Sequence, residues 1–123
     1  MAERLVGLKV EEQGPVVVVH LSGELDIAEA TAIGDAIIAA VPSSALGLVV
    51  DFSKLEFIDS SGVAMLFKVV RHLAARRQTL RVVSPSGEPV ARVLEIVEFN
   101  RAAPIHGDVE SALAAASSDA DGR

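Results

Sequence analysis

Leu48–Leu73 reads LVVDFSKLEFIDSSGVAMLFKVVRHL, and this stretch decides the fold. Leu48 to Asp51 is an apolar strand core that ends in a carboxylate. Lys54 to Ile58 carries the chain onward to a polar, turn-forming step, Asp59-Ser60-Ser61-Gly62. From Val63 the apolar residues recur at helical spacing. Val63, Leu66, Val70 and Leu73 share one face, flanked by Phe67, Val69 and Ala74. Asp59 and the serines suit a helix start, because their side-chain oxygens can accept from the free N–H groups of the first turn. The reading is a strand, a loop, then a serine pair at the positive end of a helix from about Ser60 to Arg76. Such a site is polar and suited to an added phosphate.

Outward from this stretch, the pattern predicts one α/β domain. Val6, Leu8 and Val10 alternate with polar or small residues and predict a half-buried strand near an edge. Glu12-Gln13-Gly14-Pro15 predicts a turn, and Val16–Leu21 a second, antiparallel strand. His20 reads as a strand histidine meeting solvent or a backbone group, since no second metal ligand lies at useful spacing. Ser22-Gly23-Glu24-Leu25-Asp26 reads as a loop, with Asp26 as N-cap of a helix from about Ile27 to Val41. Asp26 is also readable as a second carboxylate near the serine pair. Ala30, Ile33, Ile37 and Val41 form that helix's buried stripe.

Leu46–Phe52 has apolar residues in both phases, as a central strand covered on two faces requires. The crossover from Val16–Leu21 has the length of a βαβ unit, which makes the two strands parallel. Lys68, Arg71, His72 and Arg76 mark the polar side of the Ser60 helix. Met65 falls among them and reads as an exposed contact residue. Leu80–Val83 is a further strand. Pro89 opens a short helix whose buried face carries Val90, Val93, Leu94 and Val97. Phe99–Ala102 is irregular, and Pro104–His106 a brief edge strand. Asp108 caps a last helix with Val109, Ala112, Leu113 and Ala116 on one face. The expected order is ββαβαβα(β)α: a small, mostly parallel mixed sheet with an antiparallel edge strand, covered by about four helices. The domain is expected over residues 1–116, with residues 117–123 a disordered tail.

Composition narrows the function. The chain has 123 residues, half of them apolar, with a net charge of −6, four Phe and no Trp or Tyr. That charge repels nucleic-acid phosphate, and the scarcity of aromatics leaves little for base stacking. There is no cysteine, which removes thiol chemistry and disulfides. Met1–Arg4 is charged at once and no apolar run follows, so no signal peptide or membrane span is expected. Phosphate-loop, dinucleotide, zinc-protease and nucleophile-elbow motifs are absent. Asp26, Asp51 and Asp59 invite comparison with phospho-acceptor receiver domains. Such a site needs a late lysine, and the lysines stop at Lys68. Asp51 therefore reads as a strand-end residue bonded to nearby backbone. No catalytic residue, metal ligand or cofactor is assigned, and the chain is not read as an enzyme. The serine pair remains, as helix caps or as a phosphorylation site, and spacing alone favours caps.

FIDSSGVAMLFKVVRHL (57–73) resembles the signature of the STAS domain, specifically of bacterial anti-sigma factor antagonists. LSGELDIAEA (21–30) resembles that family's glycine–acid–aspartate loop and first helix, and LRVVSPSGEPVARVLEIVEF (80–99) its fourth strand and following helix. The resemblance covers roughly residues 5–115. It departs where the family often has Gly-Leu-Gly; here Gly62 is followed by Val63-Ala64-Met65, with Ala64 keeping a small residue. The resemblance implies a partner switch in the cytoplasm, without direct membrane insertion. The unmodified protein would bind an anti-sigma factor that is also a serine kinase, with ATP held by that partner. The sigma factor would thereby be freed. Phosphorylation of Ser60 would end the binding, and a phosphatase would reset it. Asp26, Asp59, Ser60, Ser61, Gly62, Ala64 and Met65 would form the partner-binding surface. The alternative is a STAS adaptor without a phospho-switch, in a signalling assembly or a lipid transporter.

Overall fold

β1 (Val6–Gln13) and β2 (Val16–Leu25) form an antiparallel hairpin with Gln13 opposite Val16. The computed structural model describes residues 6–121; residues 1–5, including the charged start at Met1–Arg4, and residues 122 and 123 lie outside it. After β2 come α1 (Ala30–Ala40), β3 (Gly47–Ile58), α2 (Ser60–Ala75) and β4 (Thr79–Val83). Then follow α3 (Pro89–Ile96), a 3-10 turn at Phe99–Arg101, β5 (Ile105–His106) and α4 (Val109–Asp121). The sheet order is β1-β2-β3-β4-β5, with only the β1–β2 pair antiparallel. The mixed sheet, its antiparallel edge and the four helices agree with the sequence reading.

Side chains alternate across the strands, so each strand feeds two layers. Val17, Val19, Leu21, Leu48, Val50, Phe52, Leu80 and Val82 pack beneath α1, α2 and α3 in one large aliphatic cluster. Ile37, Leu66, Val69, Leu73 and Leu94 close it from the helix side. On the other face, Val16, Val18, Val49 and Val83 meet Ala112 and Ala116 of α4 in a smaller cluster. Double-sided cover explains why β3 is apolar in both phases from Leu48 to Phe52.

Several boundaries differ from the sequence reading. β2 continues through Ser22-Gly23 to Leu25, where a loop was expected. Gly23 has φ 87°, and the register with β3 shifts on either side of it. A positive-φ glycine serves a bulge as well as a turn, and the sequence does not distinguish them. α1 begins at Ala30 rather than Ile27, because a turn over Ile27–Glu29 precedes it. Met65 is buried, packed on Gly34 of α1, rather than exposed. The α1–α2 contact covers a part of α2 that a single-helix projection leaves facing solvent. Val97 is exposed, because α3 ends at Ile96 and the helical phase is lost before it. α4 runs through Ser117 and Ser118 to Asp121, so this part of the expected tail is helical. No glycine or proline interrupts it before Gly122, and the helix propagates from its packed alanines.

Candidate functional site

The last residues of β2 and β3 are neighbours, Leu25 beside Ile58, so the two strand ends deliver Asp26 and Asp59 to one edge of the sheet. Asp59 is the N-cap of α2. Its Oδ1 accepts from the N–H groups of Ser61 (2.9 Å) and Gly62 (3.1 Å). Its Oδ2 accepts from the N–H of Ile27 at 3.2 Å. One carboxylate thus ties the start of α2 to the turn before α1. The Asp59 N–H also donates to the Leu25 carbonyl at 3.2 Å.

Asp26 does not cap α1 directly. Its Oδ1 accepts from Ala28 N–H at 3.0 Å, while its carbonyl accepts from Glu29 and Ala30. It shapes the turn that presents Ile27, which is 78% exposed. Gly62 is buried where α2 meets the strand ends. A Cβ there would stand 2.6 Å from Ile58 Cγ1 and 3.1 Å from the Leu25 carbonyl oxygen. Only glycine allows this approach without displacement.

Ser60 is exposed, and its hydroxyl has no hydrogen-bond partner among the described residues. Ser61 is half-buried and Ala64 exposed. A shallow groove of about 340 Å³ runs between α1 and α2, lined by Ile27, Thr31, Ser61, Ala64, Met65 and Arg71, among others. Met65 thus reaches the groove floor while remaining mostly buried. Lys68, on the same rim, lies 3.8 Å from Asp35 of α1. The structure brings together Asp26, Asp59, Ser60, Ser61, Gly62, Ala64 and Met65. It adds Ile27 and Thr31, which the sequence reading placed inside a longer helix.

Asp51 is not part of this group. It lies seven residues before Ile58 on the same strand, roughly 23 Å away at the rise of an extended chain. Its Oδ1 accepts from Ser53 N–H at 2.9 Å, the expected backbone bond. Its Oδ2 meets His20, a partner the sequence did not reveal. Among the described residues no group of three or more His, Cys, Asp or Glu is arranged to hold a metal ion. Among the described residues no helix is long and apolar enough to cross a membrane.

The bulged β2, the Asp59-capped helix and the five-strand order define a STAS-type α/β module. A family model described as "Mlab, STAS domain" matches residues 8–113, and the chain belongs to the STAS domain family. An anti-sigma factor antagonist from Mycobacterium paratuberculosis is similar at 29% identity and a TM-score of 0.81, over 91% of this chain and 94% of that one. The Bacillus cell fate determinant SpoIIAA, in its phosphorylated form, is similar at 25% identity and a TM-score of 0.63, over 87% and 96%. A sulfate transporter family protein from Wolinella succinogenes shares the fold at 16% identity and a TM-score of 0.72, over 84% and 85%. No significant match was found among curated proteins.

Proposed function

We propose that this chain is an anti-sigma factor antagonist working by partner switching. Unmodified, it binds an anti-sigma factor that is also an ATP-dependent serine kinase, in the cytoplasm. Phosphorylation of Ser60 ends that binding, and a phosphatase restores it. The observation that carries this reading is the exposed Ser60 hydroxyl, without a hydrogen-bond partner among the described residues, beside a carboxylate that already does the capping. A serine kept as a cap would use its oxygen on the first turn; here Asp59 does so. Further support comes from the likeness to anti-sigma factor antagonists, SpoIIAA among them, which is also solved in a phosphorylated form.

The charge arithmetic favours a switch in binding rather than in folding. A phosphate adds about −1.5 to −2 charges at pH 7. The Ser61 and Gly62 N–H groups are committed to Asp59, so the new dianion stays at the surface beside a like charge. A partner lying over α1, α2 and Ile27 would have to bury it unpaired, at a cost of several kcal/mol. Binding would fail while the fold persists.

The test is a pull-down from host lysate with the native chain, Ser60→Ala and Ser60→Asp as baits. Partners are identified by mass spectrometry. A small ATP-binding kinase held by the first two and released by the third, with ATP modifying Ser60 in the native complex, is the expected result. The same scaffold or transporter proteins on all three baits would sink the switch. They would establish the second reading, a fixed adaptor in a signalling assembly or lipid transporter. That reading draws on the wider family, whose matching model carries the name Mlab.

A further inference from the structure

A second cluster of titratable groups lies on the opposite face of the sheet, past the cover of α4. His20 on β2 stands between Asp51 on β3 and Glu11 on β1. Its Nδ1 is 2.8 Å from Asp51 Oδ2, and its Nε2 is 2.9 Å from Glu11 Oε1. Asp51 is buried, whereas Glu11 is exposed. An ionised carboxylate only accepts hydrogen bonds. A neutral imidazole has one N–H and one lone pair, so one of these contacts would set a lone pair against a carboxylate oxygen. Both contacts are satisfied only when both ring nitrogens carry protons.

We propose that His20 is a proton-binding site whose proton latches the edge strand β1, across β2, to the central strand β3. With the proton in place, the imidazolium donates to Asp51 and to Glu11 at once. When one proton leaves, a single N–H remains. Asp51 keeps it, because a buried carboxylate has poor access to water as a substitute partner. Glu11 is solvated and lets go, so the latch opens on the β1 side.

The surroundings agree. Lys9 is opposite His20 on β1, and Lys54 of β3 lines the same groove of about 650 Å³. Arg81 and His106, bonded to each other at 3.1 Å, lie beyond on β4 and β5. α4 meets β2 and β3 through Ala112 and Ala116 beside Val16, Val18 and Val49. Burial lowers the affinity of His20 for its proton. The hydrogen bonds to Glu11 and Asp51, with their charges, outweigh that and raise its pKa above the ordinary 6.5. Glu11 moves the other way, below its ordinary 4.5, through its bonds to His20 first and then Gln13.

The signs define a window. The His20 contribution is fully present below the unfolded value of 6.5 and is lost as pH rises through the raised folded value. The Glu11 contribution is fully present above 4.5 and is lost as pH falls through the lowered folded value. The latch is therefore closed between the lowered Glu11 value and the raised His20 value, and it opens as pH rises through the latter.

NMR titration of the histidine rings tests this, read with hydrogen exchange of β1 amides, in the native chain, Glu11→Gln and His20→Gln. Exchange is expressed as protection factors, which removes the intrinsic pH dependence. His20 should titrate above the ordinary histidine value, and Glu11→Gln should lower its midpoint. β1 protection should fall about three- to fivefold across that midpoint, while the Val49 and Val50 amides stay unchanged. His20→Gln should abolish the pH dependence of β1. A His20 midpoint at or below the ordinary value, or β1 protection flat across the titration, would overturn the proposal.

Discussion

Asp51 lies within β3 and Asp59 directly follows its last residue, and both join neighbouring elements by the same means, a carboxylate with bonds on both oxygens. Their partners differ. Asp59 takes three backbone N–H groups, from Ile27, Ser61 and Gly62. Asp51 takes one backbone N–H, from Ser53, and one imidazole that also serves Glu11. Backbone amides carry no proton that titrates near neutrality, so the Asp59 junction holds whenever its carboxylate is charged. The Asp51 junction, on the latch proposed above, depends on the His20 proton, which is lost as pH rises through the raised folded value. The same side chain makes a fixed corner at one place and a conditional one at another. The fixed corner is where a partner would need a preformed surface.

Three substitutions sharpen or break this contrast. The largest effect should come from Leu66→Ala, which opens a cavity in the large cluster between the sheet and α1–α3. Leu66 is fully buried in the large cluster. A loss of about 2–5 kcal/mol is expected in denaturant unfolding, together with weaker protection both around Asp51 and at the Ile58 end of β3. If only one of these places loosens, the two junctions do not belong to one cooperative unit.

Gly62→Ala should cost about 1–3 kcal/mol, because the added Cβ meets Ile58 and the Leu25 carbonyl. The NMR shifts of Ile27 and Ser61 should change while the His20 titration stays as in the native chain. A moved His20 midpoint would show that the junctions communicate through β2 and β3.

Asp59→Ala should cost about 0.5–2 kcal/mol, with faster exchange at Ile27. Its stability penalty, measured by urea unfolding against the native chain, should not follow the loss of the His20 proton, because its donors are backbone N–H groups. The penalty of His20→Gln should instead shrink as pH rises. A penalty at Asp59 that tracks pH in the same way would erase the distinction.

Much of this arrangement was legible in the chain. The period-2 runs, the helical spacing after Gly62 and the Asp-Ser-Ser-Gly step yielded the element order and placed Ser60 on the first turn of α2. Asp59 was readable as a cap because capping is local: the donors lie two and three residues away. The turn presenting Ile27 was not readable. It depends on Asp59 Oδ2, which lies 32 residues further on. Met65 was misjudged because its burial comes from α1, not from its own helix. The extension of β2 through Gly23 was missed because a bulge is defined by the partner strand's register.

By itself, the sequence determined what acts over a few residues: which segments become strands and helices, where α2 starts, and that the serine pair lies on its first turn. Only the tertiary structure decided which distant groups meet. Asp59 reaches Ile27, Met65 meets Gly34, and His20 falls between Glu11 and Asp51, nine and thirty-one residues away along the chain. The physical reason is one of range. Backbone periodicity and capping are fixed by near neighbours, whereas partners for buried and charged side chains are chosen by strand register and helix docking.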